Sequence, residues 1–117
     1  MRPHYKLEAW KNAMDLVDEI YKISKGFPTE EKFGLTSQMR RAAISVPSNL
    51  AEGAARKSKA EFANFINIAK GSLSELETQL IISKRQNYID NIANQLDLIG
   101  KVSSQLNGLH NYLITNK

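Results

Sequence analysis

A chain of 117 residues, 42% of them hydrophobic and 24% charged, has the size of one domain and too much apolar content for a disordered polymer. No apolar run approaches the ~20 residues of a membrane-spanning helix, and the absence of cysteine excludes disulfides, thiolate metal sites and cysteine nucleophiles. A formal charge of +4 is a moderate excess that serves solubility or phosphate contact equally well.

In the opening segment Glu8, Lys11 and Asp15 interrupt every apolar run, which leaves no secretory leader and predicts a cytoplasmic protein. Leu7, Trp10, Ala13, Met14, Val17, Ile20 and Tyr21 recur three and four residues apart, so an amphipathic helix is predicted from about Leu7 to Lys25. Gly26 suits a left-handed closing position, and Pro28 bars continuation. In the connector FPTEEKFGL, residues 27–35, Thr29 is expected to cap a short turn, with Phe27, Phe33 and Leu35 tucked onto the core.

From Thr36 the apolar positions Met39, Ala43, Val46, Leu50 and Ala54 keep helical spacing across Pro47. Proline removes the hydrogen bond to the Ala43 carbonyl at a cost of ~3 kcal/mol. A kink is predicted because the stripe resumes in phase, with a break into two short helices as the alternative. Ser45, Ser48 and Asn49 are placed to satisfy freed backbone groups. Ser58 and Glu61 read as a capping box ahead of a seam of Phe62, Phe65, Ile66, Ala69, Leu73, Leu76, Leu80 and Ser83. That helix is expected to end near Arg85, with Asn87 left-handed. Asp90 is the expected cap of a last helix with the stripe Ile92, Leu96, Ile99, Ser103, Leu106, His110 and Leu113.

Residues 1–117 therefore form a single all-α domain, an antiparallel up-down-up-down four-helix bundle with a proline kink in helix two. Second apolar stripes run along the first helix (Ala9, Leu16, Ile23) and the last (Leu98, Val102, Leu109). A closed bundle needs one buried face per helix, so Leu16, Ile23, Leu98, Val102 and Leu109 are candidate oligomer contacts.

Reactive chemistry is missing from the pattern. His4 and His110 are far apart; His110 has no ligand at helical metal spacing and His4 has Glu8 alone at i+4, too few ligands for a metal site; there is no Glu-x-x-His pair, nucleophile elbow or phosphate loop. The chain reads as a non-enzyme with no cofactor, no metal, no catalytic residue, no small-molecule substrate and no membrane partner. Trp10, Phe62 and Phe65 lie on the apolar stripes, where core packing is favoured over base stacking.

Residues 34–80 carry Gln38, Arg40, Arg41, Ala42, Ser45, Pro47, Asn49, Ala51, Glu52, Gly53 and Arg56, then Phe62, Ala69, Gly71, Ser72, Leu73, Glu75 and Glu77. In order and spacing this segment resembles the four helix bundle protein family, also known as the 23S rRNA intervening-sequence proteins. The resemblance implies an antiparallel bundle assembled into homo-oligomeric rings, commonly pentamers. It also implies association with nucleic acid or ribonucleoprotein, as in the related accessory protein of diversity-generating retroelements.

On helix two Arg41, Ser45, Ser48, Asn49, Glu52 and Arg56 share one face at i, i+3 and i+4 spacing, and Arg40 and Lys57 complete two basic pairs. They form either a partly buried polar network that fixes register or subunit contacts, or a solvent face that meets phosphates. The expected function is a noncatalytic oligomeric module that associates with RNA, DNA or a nucleoprotein partner. The alternative is an adaptor oligomer that recognises another protein.

Overall fold

The computed structural model describes residues 1–116, and among them every regular element is helical. A 3-10 turn at Pro3–Lys6 precedes α1 (Glu8–Ser24), and a second at Thr29–Glu31 leads to α2 (Leu35–Ala54), α3 (Lys59–Arg85) and α4 (Ala93–Thr115). Consecutive helices pack together, α4 packs back on α1, and the first turn rests on α2. Most residues predicted to face inward do so: Ala13, Ile20, Met39, Val46, Leu50, Ile66, Leu76, Leu80 and Leu106 are fully buried in one core, whereas Met14 and Tyr21 of the predicted α1 stripe are 40% and 36% exposed. No described helix is long and apolar enough to cross a membrane.

Local chemistry sets the helix ends. The Ser58 hydroxyl accepts the Glu61 amide at 3.3 Å and starts α3. At the other end of α3, Asn87 has φ 64°, and the Tyr88 and Asn87 amides return to the Ser83 and Lys84 carbonyls at 2.9 and 3.0 Å. This pattern closes the last turn as anticipated. Three expectations are corrected. Gly26 has no positive φ, because the Phe27 amide closes onto the Ser24 carbonyl at 3.1 Å without a left-handed residue. Asn91, not Asp90, accepts the Ala93 amide at 2.8 Å. Thr29 makes no side-chain cap; instead Glu31 Oε1 accepts the Leu35 amide at 3.1 Å and caps α2.

Phe27 is buried, its ring 5.6 Å from that of Tyr88, and Leu35 packs on the core. Phe33, expected beside them, is 89% exposed with the Lys32 ammonium over its ring. The turn that brings Glu31 back to the start of α2 carries residue 33 outward. The helix α2 runs unbroken through Pro47, so the alternative of two short helices does not occur.

The second stripes also require correction. Leu16 and Val102 are fully enclosed by their own bundle, and Ala9 is buried with them. Ile23, Leu98 and Leu109 are half-buried against the same core. Each helix of a four-helix square meets two neighbours, so its apolar arc is wider than a single seam. Beside these residues Asn12 donates to Gln105 and Gln95 to Glu19, both at 3.1 Å. The stripes of α1 and α4 thus serve one another within the chain.

Candidate nucleic-acid interface on the second helix

The polar residues of α2 divide between three directions. Arg40 points toward α1: its Nε donates to Ser24 Oγ at 2.9 Å, and its guanidinium lies 4.5 Å from the centre of the Tyr21 ring. Ser24 is buried and donates in turn to the Tyr21 carbonyl at 3.3 Å. Arg40 is thereby engaged as a tie between two helices.

Ser45 and Asn49 point toward α3. The hydroxyls of Ser45 and Ser72 are 2.8 Å apart. The Asn49 amide donates to the Ser45 carbonyl at 2.8 Å and to its hydroxyl at 2.9 Å. Both residues are half-buried, and the carbonyl they satisfy is that of Ser45, not the one Pro47 frees at Ala43. Further along the same seam, a Cβ at Gly53 would stand 2.7 Å from Phe65 Cβ and 2.9 Å from Phe62 Cδ1. Any side chain there would hold the helices apart, so glycine sets the approach of α2 to α3.

The outer face is left with Arg41, Ser48 and Glu52, all exposed, followed by Arg56 and Lys57 beyond the helix end. The Arg56 guanidinium is 3.3 Å from Glu52 and 3.9 Å from Glu61 and lies 4.9 Å from the Phe65 ring centre. Arg41 and Lys57 have no acidic partner within salt-bridge distance among the described residues. Arg56 and Lys57 complement the negative end of the helix dipole, and Arg41 stands ~20 Å before the last helical residue, Ala54, at 1.5 Å per residue. With the cations outward and water-accessible, this face presents point charges and N–H donors of the kind that meets phosphate.

The single face expected from spacing is therefore split: Arg41, Glu52, Arg56 and Lys57 are exposed, whereas Arg40, Ser45 and Asn49 are held between helices. Arg41 and Ser45 also line a polar cleft of about 410 Å³ with Gln38, Ser72 and Glu75. The sequence reading did not place Ser72 or Glu75 at this site. Each precedes a buried leucine of the α3 seam, Leu73 and Leu76, and that one-step offset was the available clue to the side facing α2.

No curated protein matches the chain significantly. The family model described as 23S rRNA-intervening sequence protein matches residues 5–108, which take in α1, α2, α3 and most of α4, and the chain belongs to that family.

Proposed function

We propose that this protein is a noncatalytic, cytoplasmic binding module that associates with RNA, DNA or a nucleoprotein partner through phosphate contacts from the outer face of α2. The observation that carries the reading is Arg41, exposed and without an acidic partner among the described residues, with Arg56 and Lys57 just beyond the end of the same helix. The family's description, which refers to a ribosomal RNA intervening sequence, supports an RNA-related role. Titration with mixed RNA and DNA tests it. Binding is expected to weaken with salt at a log-log slope of about −0.9 per phosphate on duplex DNA and about −0.7 on single strands. No binding tighter than ~0.1 mM at physiological salt overturns it and favours the adaptor reading.

The same proposal includes the finer architecture. Asn12 pairs with Gln105 and Glu19 with Gln95, so numbering rises along α1 as it falls along α4. Ser45 with Ser72 and Met39 with Ser83 give the same order for α2 and α3, which supports alternating, antiparallel helices. Pro47 bends α2 by removing a backbone donor; an unchanged bend in a Pro47→Ala structure would assign it to packing instead. Self-association, as the pentamer implied by the resemblance, uses aliphatics left outside the core, such as Ile68 and Ile82 of α3. Light scattering at the monomer mass of 13.2 kDa across micromolar concentrations would end that part.

A further inference from the structure

We propose that the groove between α1 and α2 is a docking site for an acidic amphipathic helix of a partner protein. The groove encloses about 360 Å³, and its walls include Trp10, Met14 and Val17 from α1 and Ile44, Pro47 and Ala51 from α2. Met14 and Ile44 are each 40% exposed, so two large aliphatic side chains stand in water on either side of an apolar floor. One end is closed by His4, Tyr5 and Trp10, whose rings pack with centroids 4.7 to 5.5 Å apart. Arg40, one turn before Ile44, lies over the ring of Tyr21, one turn beyond Val17. From Trp10 to Tyr21 is ~16 Å of helix, the length that accepts anchors at i, i+3 or i+4, and i+7 of an inserted helix.

Charge selects the partner. Arg2 and Lys6 flank His4, Lys25 follows Tyr21 by one turn, and Arg41 precedes Ile44 by one turn; all four are exposed. Asp18, one turn beyond Met14, is the acid nearest this rim on α1. The other acids of α1 turn toward α4: Glu19 holds Gln95, Glu8 borders the α1–α4 groove, and Asp15 lies one turn from Glu19 on that side. On α2 the acid nearest this rim is Glu52, one turn beyond Ser48 and paired with Arg56 at 3.3 Å, so the rim carries a net cationic charge around an apolar floor, complementary to a helix with leucine-type anchors flanked by glutamates. Nucleobases require an open ring face, whereas Trp10 meets His4 and Tyr5 at 61° and 45° and the remaining walls are aliphatic or small.

The inference does not rest on phosphate binding, with which it shares Arg41 and the groove-lining Ser48. The test uses the full chain and a fluorescein-labelled helical peptide of about 16 residues, with leucines at i, i+3 and i+7 and glutamates on both flanks. Anisotropy is expected to show saturable binding at least tenfold tighter than for a shuffled peptide of equal composition. Met14→Glu and Ile44→Glu should each weaken it roughly tenfold or more, Arg41→Gln should weaken it less and reduce its salt dependence, and Ile114→Glu, on an exposed position of α4, should leave it unchanged. Both groove positions are already water-exposed, so circular dichroism should remain helical; Met14→Gln or Ile44→Gln replaces the glutamate variant at its own position if that loses helicity. Equal binding of the shuffled peptide overturns the proposal. So does dissociation of an oligomer by Met14→Glu, which would make the groove a self-contact, or loss of RNA binding in Met14→Glu, which would make it a nucleic-acid site.

Discussion

Two sides of α2 carry polar residues drawn from one short stretch, yet the physics acting on them differs. On the side toward α3, Ser45, Asn49 and Gly53 sit within van der Waals or hydrogen-bond reach of Ser72, Phe62 and Phe65. On the outer side, Arg41, Ser48 and Glu52 face water. A substitution on the first side changes how two helices fit, while one on the second changes only charge presented to solvent. The comparison separates stability from binding residue by residue, and each side can be broken independently.

The largest effect is expected at Gly53. An added methyl there meets Phe65 and Phe62 inside 3 Å, and overpacking of this kind costs about 1–3 kcal/mol even though alanine is the better helix former by ~1 kcal/mol. Gly71 on α3 is the control, because nothing lies within 4 Å of its added Cβ. Urea denaturation should show Gly53→Ala destabilised and Gly71→Ala stabilised by about 0.5–1 kcal/mol. Equal signs for the two would mean that α2 and α3 do not approach as closely as described. Next in size is the polar seam, where Asn49→Ala removes the amide's bonds to the Ser45 carbonyl and hydroxyl and should cost ~1 kcal/mol. A double-mutant cycle between Ser45→Ala and Ser72→Ala should return a coupling of about 0.5–1.5 kcal/mol.

These contrasts mark what spacing reveals. The four helices, the Ser58 cap and the left-handed Asn87 were legible because each depends on residues within one or two turns. Leu16 and Val102 were misplaced because periodicity gives the width of an apolar arc but not how many neighbours fill it. The polar stripe of α2 was likewise read as one face. Residues at i and i+4 differ by ~40° around the axis, enough to put Ser45 in the α3 seam and leave Arg41 outside. Asp90, one residue before Asn91, and Phe33, carried outward by a turn, depend on backbone detail that composition does not encode.

A smaller effect is expected where the second connector meets the end of α3. Tyr88 donates to Glu31 Oε2 at 2.8 Å. Its phenol pKa is raised above 10.0 first by that hydrogen bond, then by desolvation, then by the charges of Glu31 and Glu30. Because the folded value exceeds the unfolded one, the contribution is complete below about pH 10 and disappears as pH rises through the folded value. Tyr88→Phe should therefore lower Tm near neutrality and reduce its decline at alkaline pH. An alkaline limb identical to wild type would show that Tyr88 does not hold Glu31.

The smallest effect on stability, and the most informative about function, is expected at Arg41, set against its neighbour Arg40. Arg40 is half-buried, bonded to Ser24 and stacked on Tyr21. Arg40→Ala should cost ~1 kcal/mol from the lost hydrogen bond and stacking together, with no change in the salt slope of nucleic-acid binding. Arg41 is exposed and has no acidic partner among the described residues, so Arg41→Ala should leave stability within about 0.5 kcal/mol of wild type. If Arg41 meets a phosphate, that same substitution should reduce the salt slope by about one. Neighbours in sequence would then differ in opposite observables, one moving the denaturation midpoint and the other the salt dependence. A salt slope unchanged in Arg41→Ala, measured alongside intact binding, would remove this residue from the interface and leave Arg56 and Lys57 to account for it.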